Sequence, residues 1–172
     1  MTVRKILTEP DPFLRQKSNK VVEVNNEIRS LMDDMLETMY QAPGIGLAAI
    51  QVGVPKRVIV IDLSKKDEKK NPLYFVNPEI LTKSNQDASY EEGCLSVPNQ
   101  FAEISRPDNC KVKFLDYEGN EKILEAKGLL ATCIQHEMDH LEGILFIDYL
   151  SKLKKSMILK KLSKNKFSRI VV

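Results

Sequence analysis

Apolar side chains recur at helical spacing in three stretches of this chain, and at strand spacing between them. In the first, Ile28, Leu31, Met32, Met35, Leu36 and Met39 fall three or four residues apart, the period that lines one face of a helix. Asn25 or Asn26 is placed to cap it, and Ala42-Pro43-Gly44 ends it. The methionines read as adaptable core packing and not as a ligand site. Residues 57–63, Arg-Val-Ile-Val-Ile-Asp-Leu, predict a buried strand. A charged turn over Ser64 to Asn71 follows, then a strand from Leu73 to Leu81 kinked at its Asn and Pro residues, then an exposed loop from Lys83 to Ala88. Cys110–Leu115 and Lys122–Leu124 alternate around Tyr117-Glu118-Gly119-Asn120 and predict a hairpin.

A second helix runs from Leu129 to Gly143, which serves as its C′ residue. At about 100° per residue, Leu129, Cys133, His136 and His140 share one face, and Leu130, Ile134, Met138 and Leu141 share another about 120° away. A helix apolar on two faces is central and buried. Leu145 to Leu150 reads as a short strand or bend. Ser151 then caps a final helix with Leu153, Met157, Ile158 and Leu162 facing inward. Ahead of all this, residues 3–24 form an irregular lead-in punctuated by prolines, with a short turn near Phe13-Leu14-Arg15.

Composition narrows the class of protein. With 172 residues, 42% hydrophobic and 29% charged, the chain fits a single catalytic-sized domain over residues 1–172. No apolar run approaches the ~18 residues of a membrane span, and Pro10 and Pro12 interrupt the N-terminus, which argues against a signal peptide and for the cytoplasm. Three cysteines, at 94, 110 and 133, make neither a close-spaced knuckle nor an even disulfide set, as suits a reducing compartment. The net charge of +2 hides an asymmetry: residues 151–172 carry seven lysines, Arg169 and no acid, +8 against −6 for the remainder. That segment is a solvated helix face or a contact for an anionic partner such as RNA, with residues 164–172 expected to be a flexible basic tail.

The chemistry concentrates at Gln135-His136-Glu137-Met138-Asp139-His140, which holds both histidines of the chain. Four residues are about 6 Å of helix, so the two imidazoles sit one turn apart on one face. They can grip one metal ion, with Glu137 beside them as a base for an activated water. The plain alternative is a helix that happens to carry two histidines. Chance spaces two histidines this way in about 1 of 90 arrangements, before a glutamate is required.

A catalytic zinc or iron site takes three protein ligands and a water. Beyond His140 there is no histidine, and of the acids Glu142 points off the ligand face while Asp148 follows too closely. Gly143 matches the glycine of an extended His-Glu-x-x-His-x-x-Gly-x-x-His pattern, but Phe146 stands where its last histidine belongs. The third ligand therefore lies upstream. Cys133 is about 10 Å along the helix axis from His140, too far for a short thiol arm. Cys94 is the best remaining candidate, with Cys110, Glu91 and Glu92 still open. Gln51 is the one carboxamide in Gly44-Ile45-Gly46-Leu47-Ala48-Ala49-Ile50-Gln51, able to donate to a developing oxyanion or to lie on the surface.

Taken in order, Gly44 to Gln51, then Glu92-Gly93-Cys94-Leu95-Ser96, then Gln135 to His140 resemble the three signature motifs of bacterial peptide deformylases, and the similarity spans essentially the whole chain. The resemblance implies an α+β fold: small antiparallel sheets packed around a central metal-binding helix, with a long helix in the N-terminal half and a C-terminal helix. It implies removal of the formyl group from the N-terminal methionine of nascent proteins, with Fe2+ as the working ion and Zn2+ or Ni2+ able to occupy the site. By motif match Cys94, His136 and His140 are the ligands, Glu137 is the acid and base, and Gln51 and the Leu95 amide are oxyanion donors. The peptide is expected along Ile45-Gly46 and Gly93, its methionine side chain in a pocket near Ile45, Glu92, Leu129 and Cys133. Glu92 and Arg106 match positions that form an ion pair. Two residues depart from the common pattern: Phe101 stands where many members carry arginine, and Thr132 where an aliphatic residue is common. The competing readings are a zincin-like metallopeptidase, which lacks its downstream ligand here, and a non-enzymatic metal- or RNA-binding module, which leaves Glu137 and Gln51 unused. No membrane and no sequence-specific nucleic acid is expected as a partner. Ribosome contact through the basic C-terminal segment is compatible with the enzyme.

Overall fold

The run Val58-Ile59-Val60-Ile61 forms a strand on which both halves of the core are built. Alternate strand residues face opposite sides. Val58 and Val60 pack with helix α1 (Asn26–Gln41), while Ile59 and Ile61 pack with helix α2 (Gly128–Leu141). All four are buried, which is why the run is continuously apolar. Each such side chain contributes about 1.5–3 kcal/mol on burial.

The computed structural model describes residues 2–171, with side chains as far as Lys164. The other strands are β1 (Gly46–Ala48), β3 (Leu73–Lys83), β4 (Asp87–Cys94), β5 (Val97–Pro107), β6 (Asn109–Leu115) and β7 (Glu121–Lys127), with β2 at Val58–Ile61. One antiparallel sheet has the order β1-β2-β3-β6-β7, and β4 and β5 pair as a second, two-stranded sheet. Helix α1 covers one face of the larger sheet and α2 the other. This is the α+β architecture of small antiparallel sheets around a central helix.

Local chemistry explains the boundaries. The Asn25 side chain accepts from the Ile28 N–H at 3.1 Å and starts α1, whose Met32, Met35 and Met39 are fully buried. The kink in β3 lies where its register shifts between Val76 and Glu79. Asn77 there has φ +51°, a conformation asparagine tolerates, and its amide makes two 2.8 Å bonds to the Val21 backbone. The kink thus also ties down the lead-in.

Three expectations need correction. The connection from β3 to β4 is only Ser84 to Gln86, and Asp87 and Ala88 belong to β4, paired with Pro107 and Arg106. Strand β5 carries no clear sequence pattern, because a two-stranded sheet with one solvated face keeps many polar residues. Leu145 to Leu150 is not a strand: Phe146–Tyr149 forms a 3-10 turn, held by the Asp148 carboxylate accepting from the Leu145 N–H at 3.1 Å. Helix α3 (Lys152–Val171) is capped by Ser151, as the Lys154 N–H reaches its hydroxyl at 3.2 Å. Leu153 and Met157 do not face inward; they are 72% and 51% exposed. The buried stripe is Ile158 and Leu162, one turn apart against Val97 and Ile104 of β5, and Met157 and Leu153 lie about 100° and 140° off it. The backbone of the expected basic tail continues this helix to Val171, and its side chains beyond Lys164 lie outside the described residues.

Candidate active site

Helix α2 delivers His136, Glu137 and His140, all buried, to the gap between the two sheets. It ends at Leu141, Glu142 caps it, and Gly143 follows with φ +74°. Opposite it, β4 ends on Cys94 where its register with β5 shifts. The Cys94 Sγ lies 3.4 Å from His140 Nε2. Ligand-type atoms of Cys94, His136 and His140 all fall within 4.8 Å of one another, the one such group among the described residues.

The other upstream candidates sit elsewhere. Cys110 is buried in the core at the start of β6, Glu91 is exposed, and Glu92 is spent on a histidine. Burial, reinforced by the charge of Glu137, pushes the Cys133 thiol up to about 12, so it is no thiolate near neutrality. Phe146, standing where a protease of the extended pattern has its histidine, stacks on the His136 ring at 6.2 Å.

A polar chain runs outward from the histidines. Glu92 Oε1 lies 2.9 Å from His136 Nδ1, which directs the other ring nitrogen inward. Arg106 grips Glu92 through Nε at 2.7 Å and Nη2 at 3.0 Å, and reaches Asp139 through Nη1 at 2.8 Å. The Tyr149 hydroxyl donates to the same Asp139 oxygen at 2.7 Å, and its ring lies 5.0 Å below the guanidinium. Burial works to raise the Glu92 carboxyl, but hydrogen bonds from His136 and Arg106 outweigh it and hold it below the usual carboxylate range. Removing it leaves the buried Arg106 guanidinium with Asp139 alone and frees the His136 ring. Glu92→Ala is therefore expected to weaken metal retention by about 10- to 100-fold, read by chelator competition; retention equal to the wild type would remove Glu92 from this role.

The polar groups nearest Cys94 and the histidines are equally constrained. Gln51 Oε1 accepts from the Ala48 N–H at 2.9 Å, which fixes the amide so that Nε2 donates to Ser96 Oγ at 2.9 Å and faces Cys94 Sγ at 3.5 Å. A Cβ on Gly46 would stand 2.7 Å from Glu137 Oε1, so a larger residue at this point of β1 would displace the Glu137 carboxylate. Glu137 Oε2 is buried without a protein partner, as is His140 Nδ1. Burial pushes the Glu137 carboxyl up to about 7 against the opposing pull of His136, where a carboxyl can both take and return a proton. Burial also lowers His140, helped by the charge of His136, whereas His136 is raised: burial opposes this, but bonds to Cys94 and Glu92 prevail. One thiol and two imidazoles form a donor set that fits a divalent ion, with an orphaned carboxylate oxygen beside it.

In front of this group opens a cavity of about 530 Å³. Ile45, Gly46, Glu92, Gly93, Leu129 and Cys133 all line it. Leu95 lies in the turn after Cys94 and also faces it. Thr132 joins its wall with a buried hydroxyl that has no partner. Sequence reasoning missed Ser96 as the holder of Gln51 and the Asp139–Tyr149 pair, although Ser96 and Asp139 stand inside the motifs. It also missed the lead-in, whose Leu7 N–H bonds the Gln51 carbonyl at 2.7 Å and whose Glu9 N–H bonds the Ser96 carbonyl at 2.8 Å. No local signal marks those backbone bonds. No helix among the described residues is long and apolar enough to cross a membrane.

The chain matches the family model of polypeptide deformylase over residues 3–156. It is 67% identical to a peptide deformylase of Pelagibacter ubique over 172 residues, 100% of both chains. A crystal structure of peptide deformylase from Ehrlichia chaffeensis superposes with a TM-score of 0.94 at 43% identity, covering 98% of this chain and 99% of that one. A Met-ala-ser bound crystal structure of class I type b peptide deformylase from Acinetobacter baumannii aligns at 34% identity and a TM-score of 0.82, covering 87% and 99%. A thiol and two imidazoles converging beside a buried glutamate, in a chain this similar along its whole length, place it in one family: the chain belongs to the polypeptide deformylases.

Proposed function

We propose that Cys94, His136 and His140 hold one divalent ion and that Glu137, Gln51 and the Leu95 amide act beside it to remove the formyl group from the N-terminal formylmethionine of newly made proteins. The observation that carries this reading is the three ligand atoms within 4.8 Å of one another, next to a glutamate with an unpartnered buried oxygen. The family makes the chain a metal-dependent hydrolase, and Fe2+ is the ion we assign, with Zn2+ or Ni2+ able to take the same donors. When bound, such an ion supplies Lewis acidity, which lets a water ionise near neutral pH and polarises a carbonyl.

Glu137 takes a proton from the attacking water at a carboxylate oxygen. Attack on the formyl carbon puts negative charge on the formyl oxygen, and the Gln51 Nε2 and the Leu95 N–H donate to it. As the carbon–nitrogen bond breaks, Glu137 returns the proton to the departing amine. Formate and a free N-terminus result. The peptide lies extended along Ile45-Gly46 and Gly93, with the methionine side chain in the cavity between Leu129 and Cys133. The Met-ala-ser bound crystal structure of the Acinetobacter relative supports a methionine-headed peptide as the ligand. Formate release from a formyl-methionyl peptide, with metal analysis of the same sample, is the test.

An enzyme acting on nascent chains would work in the cytoplasm beside ribosomes. Lys152, Lys154, Lys160, Lys161 and Lys164 are exposed on α3 and support a ribosomal RNA contact. Deleting residues 164–172 is expected to reduce co-sedimentation with ribosomes, most visibly at low salt; unchanged, salt-insensitive binding would count against the contact.

A further inference from the structure

The 3-10 turn Phe146–Tyr149, which follows α2, bears on His136 twice. Phe146 is buried and sets its ring 6.2 Å from the imidazole, at 26° between planes. Tyr149 is exposed and does not line the cavity in front of Cys94; it lines a smaller one, of about 320 Å³, together with Arg106 and Asp139. It nevertheless grips Arg106 in two independent ways. Its ring lies 5.0 Å from the guanidinium carbon, a contact that attracts a cation. Its hydroxyl donates at 2.7 Å to Asp139 Oδ2, the same oxygen that accepts from Arg106 Nη1 at 2.8 Å. Nε and Nη2 of Arg106 are taken by Glu92, whose Oε1 faces His136 Nδ1. The Arg106 and Glu92 side chains are only 6% and 5% exposed, but Asp139 is 20% exposed. Asp139 is thus the loosest link in the chain, and the tyrosine hydroxyl is the second donor that pins it.

The geometry points to Tyr149 as a positioning residue for the metal centre: it fixes Arg106, through Arg106 the Glu92 carboxylate, and through Glu92 the His136 ring. The inference rests on the ligand trio of the proposed function. Tyr149 hydrogen-bonds none of that trio, so its loss removes no donor. What goes is the second anchor of Asp139. The Nη1 end of Arg106 is then held by a carboxylate free to turn into water, Glu92 is gripped less firmly, and the His136 ring spends part of its time turned away from the ion. A ligand that is turned away weakens binding without changing the donor set. The loss of one hydrogen bond this far out should weaken metal binding by about 3- to 10-fold, less than the removal of Glu92. Because the effect travels through Glu92, it should disappear once Glu92 is gone.

The test measures the affinity of the full chain for Co2+ by competition with a chelator, in wild type, Tyr149→Phe, Tyr149→Leu, Glu92→Ala and the double variant Glu92→Ala/Tyr149→Phe. Leu153→Ala, an exposed neighbour outside the network, is the control and should match the wild type. Tyr149→Phe keeps the ring and loses the hydroxyl, and should bind about 3- to 10-fold more weakly; Tyr149→Leu loses both contacts and should bind more weakly still. On the Glu92→Ala background, Tyr149→Phe should change affinity by less than about 2-fold, because the two residues act in one chain. A second reading needs no double variant: the visible bands of the bound cobalt should shift in Tyr149→Phe while the metal-free protein unfolds at the wild-type temperature. Wild-type affinity in both Tyr149 variants, the same loss with and without Glu92, or unshifted bands beside a lowered unfolding temperature would each overturn the assignment. A wild type that takes up no ion defeats the metal centre as well.

Discussion

Glu137→Gln is expected to lower kcat for formate release by about 10²- to 10⁴-fold while the bound metal stays at the wild-type level. Glutamine keeps the shape that Gly46 leaves room for but cannot take up a proton. Glu137 lies beside the ligand trio and is not one of its members, so the donor set survives. Its buried oxygen without a partner and a carboxyl pushed up to about 7 by burial describe a group whose work is proton transfer. Turnover and metal content measured on one preparation decide the matter. Undiminished kcat would remove Glu137 as the proton carrier, and lost metal would move it into the ligand set.

Cys94→Ala is expected to weaken metal binding by more than about 100-fold, beyond the usual reach of outer hydrogen-bond partners. It leaves two imidazoles on successive turns of α2 and no thiolate near them. Cys133→Ala is the matched control: that thiol is held neutral near pH 7 by burial and by the charge of Glu137, and it should retain metal. Cobalt-loaded protein gives a second readout, since the sulfur-to-metal charge-transfer band should vanish in Cys94→Ala and persist in Cys133→Ala. Metal retained without Cys94, or lost without Cys133, would reverse the assignment.

The parts of this molecule legible in its sequence are those whose cause is local. The period of Ile28 to Met39, the β-branched run Val58 to Ile61 and the stop at Gly143 each predict an element that the structure contains. The histidine spacing likewise brings its two rings to a centroid distance of 5.2 Å. Position of the third member was not local. Elimination left Cys94, Cys110, Glu91 and Glu92 open, and only the return of β4 over α2 sets Cys94 beside His140. Strand β5 has no announcing pattern because its exposed face is polar, and Leu153 and Met157 lie outside the core because α3 buries a stripe only one or two residues wide. The bonds from Leu7 and Glu9 to the Gln51 and Ser96 carbonyls are made by backbone groups that every residue carries, so no side-chain pattern records them.

The most direct test of the central claim is formate release from formyl-Met-Ala-Ser by protein purified without oxygen and analysed for metal. The expected result is one divalent ion per chain, predominantly iron, with formate and a free methionine amine produced in equal amounts, activity lost to a chelator and restored by Fe2+. No formate from the metal-loaded protein, or cleavage of internal peptide bonds in an unformylated protein, would contradict it.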